Sequence, residues 1–268
     1  YLTINITPLN VSAKFALMMK ESGSGFVFTS ATLSVDNELS HFNASLGLKP
    51  KQSMMVDSPF DYANQALLCL PRYLPQSHED NMPHAIVKLT LELIKSAKGR
   101  CFVLFTSYRM MHLVAEGLTT QMDYPVYMQG QMSKRIILEK FTRHGNAVLL
   151  GTASFWEGVD VRGSTLSCVI IDKLPFAAPD DPLLQAKMQD CQMQGKDPFS
   201  HIQLPQAVIA LKQGVGRLIR DSKDKGVLVI CDNRLVTRQY GQVFLKSLPP
   251  MRRTRSLEDA NTFLKQIN

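Results

Sequence analysis

The octet Gln213-Gly-Val-Gly-Arg-Leu-Ile-Arg220 concentrates hydrogen-bond donors in a short span. If the apolar periodicity before it continues as a helix, Gln213, Gly216, Arg217 and Arg220 share one side at i, i+3, i+4 and i+7. Val215, Leu218 and Ile219 then turn to the core. Two guanidiniums and an amide would face the same spot. Paired arginines with no carboxylate at matching spacing repel one another unless an anion lies between them, which points to a phosphate ligand. A second segment, Gly151-Thr-Ala-Ser-Phe-Trp-Glu-Gly-Val-Asp-Val-Arg-Gly163, directly follows an apolar run. Gly151, Gly158 and Gly163 permit tight turns, and Thr152 and Ser154 offer hydroxyls and N–H groups to a phosphate. Glu157 and Asp160 bracket Gly158 and can accept hydrogen bonds from ribose hydroxyls. Trp156, the single Trp of the chain, serves either as an anchor against a sheet or as a surface that steers a nucleic-acid strand. A third segment, Phe28-Thr-Ser-Ala-Thr-Leu33, puts Ser30 among small hydroxylated residues after a β-like run. Such residues suit a strand-to-helix turn as well as a ligand.

Other chemistries find little support. There is no G-x-x-x-x-G-K-[ST] run and no acidic D-E-x-H run, and Gly214-Val-Gly216 lacks the third glycine of a dinucleotide fingerprint because Ile219 stands there. Five cysteines (Cys69, Cys101, Cys168, Cys191, Cys231) are an odd number, lie at least 23 residues apart, and show no C-x-x-C spacing. They read as small buried hydrophobes in a reducing compartment, and no metal site is expected of them. His112 and His201 lie near no nucleophile motif. Asp180 and Asp181 follow Pro179 at the head of a helical stretch, where capping is the expected role rather than acid–base catalysis.

The formal charge is +7 over 268 residues, yet it is concentrated. Between Lys212 and Arg255 stand eleven Lys and Arg against three Asp, so the rest of the chain is close to neutral. That stretch is either a solvated basic face or the footprint of a polyanion, nucleic acid or nucleotide phosphate. Composition is 45% apolar and 20% charged, ordinary for a globular protein, with no apolar run long enough to cross a bilayer. A soluble, cytoplasmic protein with no membrane partner is expected. The first residue is Tyr, and a piece of a longer protein is expected on that ground.

Elements that could position these residues alternate along the chain. Apolar runs at 25–29, 101–105, 147–150, 166–171 and 227–231 predict strands, separated by amphipathic stretches. Near-continuous apolar strands between helices predict an α/β fold with a mostly parallel sheet covered on both faces. Helices are predicted over 82–97, 108–121 and 204–219, with Ser133 capping a further one. Residues 71–83 predict a loop. A last helix over 256–266 carries Leu257, Ala260, Phe263 and Leu264 as a short apolar stripe, for packing on the core or for docking a partner.

In order, Thr29-Ser-Ala-Thr-Leu33, Phe105-Thr-Ser-Tyr108, Gly151 to Gly163 and Gln213 to Arg220 resemble motifs III, IV, V and VI of superfamily 2 helicases. They are most similar to the DinG/XPD branch, whose motif VI commonly reads Q-x-x-G-R-x-x-R. Ser58-Pro-Phe-Asp-Tyr62, Asp172-Lys-Leu-Pro-Phe176 and Ile230-Cys-Asp-Asn-Arg-Leu235 extend the likeness over almost the whole chain. The resemblance implies a RecA-like motor half of a 5′→3′ DNA helicase acting on single-stranded DNA in repair or replication. It implies that Gln213, Arg217 and Arg220 reach ATP and its Mg2+ across a cleft, one arginine acting as a finger on the γ-phosphate. It further implies that Asp160 and Gly158 serve the nucleotide, that Glu157 couples that site to DNA, and that Ser30, Thr106, Ser107, Thr152 and Ser154 meet DNA phosphates. The phosphate-binding and magnesium-binding motifs, and a [4Fe-4S] cluster, are expected only in a missing N-terminal motor domain, which is then the chain's own partner. Residues 1–56, which carry the motif III resemblance, are expected to bridge to that domain or to complete it, 57–250 to form the second RecA-like domain, and 251–268 to be a basic tail with a short helix. Helicases of this type are associated with the chi subunit of DNA polymerase III, a candidate partner for the tail.

Overall fold

Strands that are apolar on every residue are stable only between two covering layers, and that is where this chain puts them. The structure is a computed structural model that describes residues 6–50, 52–76, 79–156 and 165–268. The order begins α1 (Ser12–Glu21), α2 (Ser40–Leu46), α3 (Tyr62–Gln65), β1 (Ala66–Cys69), α4 (Met82–Ala97), β2 (Cys101–Leu104) and α5 (Tyr108–Thr119). It continues β3 (Val126–Met128), α6 (Lys134–His144), β4 (Val148–Gly151), α7 (Ala153–Trp156), β5 (Cys168–Ile171), α8 (Pro182–Met193) and a π turn (Phe199–Gln203). It closes with α9 (Leu204–Val215), β6 (Gly226–Ile230), α10 (Arg234–Thr237), α11 (Gly241–Ser247), β7 (Arg252–Thr254) and α12 (Leu257–Ile267). No helix among the described residues is long and apolar enough to cross a membrane.

Two compact units result, one holding residues up to Asp57 with Phe176–Ile209, the other Ser58–Pro175 with Ala210–Asn268. The second unit contains a seven-stranded sheet in the order β3-β4-β2-β5-β6-β1-β7, and every pairing in it is parallel. On one face Cys101, Val103, Val148, Ile170, Val227 and Val229 bury against α4, α5 and α12. Residues of the opposite parity, among them Phe102, Leu149, Val169 and Leu228, are equally buried, Phe102 with its ring 6.4 Å from that of Phe155. Ser107, Ser133 and Ser256 cap α5, α6 and α12 by accepting an N–H from the first turn. The turn from α4 into β2 needs Gly99: its φ is +88°, and a Cβ there would lie 2.4 Å from the Asn146 carbonyl oxygen.

The expected α/β class and parallel sheet are found, as are the strands near 101–105, 147–150, 166–171 and 227–231. Residues 25–29, expected as a strand, have no ladder partner among the described residues. A strand without a neighbour to bond has nothing to hold it. In the first unit Phe28 packs instead with Phe15 and Phe42, ring centroids 6.2 and 5.8 Å away. There too Asp181 caps α8, accepting from the Leu184 N–H at 2.9 Å. The helix expected over 204–219 stops at Val215, and Gly216–Leu218 is a turn. Its apolar residues still bury, Val208, Leu211, Val215, Leu218 and Ile219 all being under 5% exposed. The reason lies at the start of β6, where Leu218 packs so closely on Gly226 that a Cβ there would be 2.5 Å from Leu218 Cδ1. A straight helix would carry Leu218 and Ile219 on past that contact. The stretch expected as a basic tail supplies β7, paired with β1, and α12, whose stripe Leu257, Ala260, Phe263 and Leu264 is buried.

Candidate functional site

A topological switch sets the first edge. After β2 the chain runs out to β3 at the sheet margin, returns to β4, and then crosses to β5 on the other side of β2. The carboxyl ends of β4, β2 and β5 therefore flank a switch point, where open α/β sheets bind ligands. Thr106 and Ser107 follow β2, Thr152 follows β4, and Ser154 lies in α7. Thr106 donates its N–H (3.0 Å) and hydroxyl (3.2 Å) to the carboxylate of Asp172, just beyond β5. The Lys173 N–H completes that shell at 2.7 Å. Asp172 is 1% exposed, and burial pushes its pKa up to about 7 despite the Lys173 charge and the donors from Lys173 and Thr106.

Thr152 and Ser154 are brought together through a residue that the sequence did not single out, Gln129 at the end of β3. Gln129 Oε1 accepts the Thr152 N–H at 2.6 Å and the Thr152 hydroxyl at 3.0 Å. Its Nε2 donates to Ser154 Oγ at 3.0 Å and to the Tyr108 hydroxyl. Lys134, opening α6, donates to the Ser154 carbonyl and lies 5.3 Å from the Phe155 ring centroid. Thr152 is 5% exposed, whereas Ser154 and Tyr108 are open to solvent, Tyr108 at 53%. One strand along, Asp232 accepts the Leu174 N–H at 2.9 Å and a bidentate Arg234 with contacts of 2.7–3.1 Å. The paired Asp232 carboxylate raises the Arg234 pKa.

The second edge is the opposite end of the sheet. Gln213 lies in the last turn of α9, Arg217 in the turn that follows, and Arg220 in the loop that leads to the amino end of β6. The three do not share a continuous helical face, because the helix has ended. The loop is held another way: Asp224 Oδ2 accepts the N–H groups of Arg220 and Asp221, both at 2.9 Å. Gln65, 5% exposed at the foot of β1, donates to the carbonyls of Asp221 and Asp224, both at 2.9 Å. Backbone position around Arg220 is thereby fixed by a buried amide from the neighbouring strand's lead-in.

Ser30 belongs to the first unit, where its hydroxyl accepts the Thr32 N–H at 3.2 Å. Glu157, Gly158 and Asp160 lie outside the described residues. All five cysteines are buried free thiols, and burial pushes Cys69 up to about 12. The described residues contain no group of three or more His, Cys, Asp or Glu that could hold a metal ion. Gln129, Gln65 and Asp224 had a weak signal at most. Pro125 and Gly130 bound the short run before Gln129, and Asp172 and Asp232 each follow directly on an apolar strand.

Residues 90–251 match the helicase C-terminal domain family. The chain is 53% identical over 264 residues to the ATP-dependent DNA helicase YoaA of Escherichia coli, covering 98% of this chain and 42% of the relative. It is 35% identical over 269 residues to the ATP-dependent helicase DinG of Mycobacterium tuberculosis, covering 98% and 40%. The chain thus spans about two fifths of the length of these relatives. Among solved structures, Xpd4 of S. tokodaii shares the fold with a TM-score of 0.55 at 16% identity, over 77% of this chain and 42% of that one. By the matched span and by its YoaA and DinG relatives, the chain belongs to the helicase C-terminal domain family.

Proposed function

We propose that the chain is the second motor domain of an ATP-dependent DNA helicase that moves 5′→3′ on single-stranded DNA in repair or replication. A companion N-terminal motor domain would supply the phosphate-binding loop, the magnesium ligands and any iron–sulfur cluster, since the scattered buried thiols of this chain do not suit one. The observation that carries the reading is the arginine loop, anchored by Asp224 and Gln65 at one end of the sheet while hydroxyl-bearing residues gather at the other. One sheet can thus serve a nucleotide and a strand without the two competing for the same donors.

Gln213, Arg217 and Arg220 form a donor set suited to a triphosphate with its Mg2+, and Glu157, Gly158 and Asp160 complete the nucleotide side of the proposal. ATP, when bound, supplies the phosphoryl-transfer free energy. The arginines would meet charge that builds on the γ-phosphate, a contribution of about 10³–10⁵ in rate for such a finger. Thr106, Ser107, Thr152 and Ser154 would meet the nucleic-acid strand from the sheet unit, and Ser30 would meet it from the first unit. The work would be done in the cytoplasm at the nucleoid. The chi subunit of DNA polymerase III is retained as a partner to test, but not through the Leu257–Leu264 stripe, which is buried.

The test is Arg220→Ala in a protein that joins this chain to its companion domain. DNA-stimulated ATP turnover should fall by about 10³ or more while single-strand binding stays within a few-fold. Turnover retained in that variant would remove the finger assignment.

A further inference from the structure

Every hydrogen-bonding position of the Gln129 amide is occupied. Its orientation is not arbitrary. The Thr152 main-chain N–H can only donate, so the atom facing it at 2.6 Å is the amide oxygen. The NH2 group must then face Ser154 Oγ and the Tyr108 hydroxyl, and both oxygens accept from it. An accepting hydroxyl keeps its own hydrogen for another partner. Neither the Tyr108 nor the Ser154 hydroxyl has an acceptor for that hydrogen among the described residues, and both side chains are open to solvent. Thr152 is the reverse case: its N–H and its hydroxyl both point inward at Gln129.

We propose that the Tyr108 and Ser154 hydroxyls, with the Lys134 ammonium beside them, form a subsite for a backbone phosphate of single-stranded nucleic acid. Gln129 is the positioning residue that aims both hydroxyl hydrogens outward. Three structural elements meet there: Tyr108 opens α5, Ser154 lies in α7 after β4, and Lys134 opens α6. Lys134 is tied to the same spot through the Ser154 carbonyl. Phosphate oxygens accept and never donate, so an edge of outward donors beside a cation selects them over neutral or cationic ligands. Thr152 acts here through Gln129, whose oxygen it engages. The inference rests on the nucleic-acid reading above and adds Tyr108, Lys134 and Gln129 to it.

The experiment measures binding of a fluorescein-labelled oligothymidylate to the full chain as salt is varied. Tyr108→Phe and Ser154→Ala should each weaken binding about 3- to 10-fold with the salt slope unchanged. Lys134→Gln should lower the slope by about 0.7, the value for one phosphate contact on a single strand. Gln129→Glu can accept all four hydrogen bonds but turns both hydroxyl hydrogens inward and adds a negative charge. It should weaken binding more than 10-fold. In that background Tyr108→Phe should cost nothing further, a non-additivity that a merely structural role for Gln129 would not give. Unchanged binding by the Tyr108 and Ser154 variants, with the parent chain still binding, overturns the subsite and leaves the nucleic-acid reading intact. A parent chain that binds no oligothymidylate even at low salt overturns both.

Discussion

Asp172 is a carboxylate surrounded by protein, and its protonation is coupled to the position of Thr106. Because its pKa is raised from the ordinary 3.8 to about 7, the folded state holds that proton more tightly than the unfolded chain does. The associated stabilisation is fully present below about pH 4 and is lost as pH rises through about 7. Asp172→Asn keeps acceptors for the Thr106 and Lys173 N–H groups and removes the ionisable proton. Thermal melts should then show a flatter pH profile between 4 and 7 and a gain on the order of 1–3 kcal/mol at pH 8. An unchanged profile would mean that Asp172 titrates as an ordinary surface acid. Nothing near Asp172 in sequence announces this, for its shell comes from β2 by way of Thr106. The same is true of Gln129, whose partners lie at 108, 152 and 154. Arg217 and Arg220 could be proposed from the sequence because donor-rich spacing needs no partner to be noticed, but the single helical side expected to align them is absent, since α9 ends at Val215.

At the scale of elements, the loop carrying Arg220 depends on α3 and β1 more than on the helix before it. Gln65 closes α3, stands directly before β1, and spans to two carbonyls of the loop. Gln65→Ala removes two hydrogen bonds from a buried donor, a loss of about 1–2 kcal/mol. In the protein joined to its companion domain, ATP turnover should drop about 10-fold or more while the salt slope of DNA binding is unchanged. Equal turnover would show that the loop keeps its place without that amide. The sequence revealed β2, β4, β5 and β6 because their apolar runs are unbroken, and α4 because its buried face repeats at helical spacing, whereas β1, equally apolar but four residues long and running straight on from α3, was not among the expected strands. It concealed β3 and β7, which are three residues each at the sheet margins. β7 reads Arg-Arg-Thr, with both arginines exposed, and so carries no apolar signal. The end of α9 was missed because Gly216 looked like a face residue, while the contact of Leu218 with Gly226 that stops the helix involves a later strand.

For the whole sheet unit, the C-terminal segment is structural. Leu257, Phe263 and Leu264 are at most 8% exposed, and α12 packs on α4 and β6. Burying each large side chain is worth about 1.5–3 kcal/mol, so the three together approach the ~5–15 kcal/mol that a typical domain has in total. A chain ending at Pro250 should therefore be unfolded or molten at 37 °C, as judged by circular dichroism and by rapid proteolysis. If it instead melts like the full chain, α12 is an accessory. The same truncation cannot serve as a clean test of partner docking, since loss of capture would follow from loss of the fold.

β1 lies between β6 and β7, its two strand neighbours among the described residues. Leu67 stands opposite Val227 on one side and Arg252 on the other. During synthesis the first strand of this sheet must wait for its last two, with its apolar edges unpaired in the meantime. A nascent chain stalled before Gly226 would present that edge to chaperones and to other unfinished copies. Once Thr254 has emerged the sheet can close, and the loop that Gln65 steadies can form.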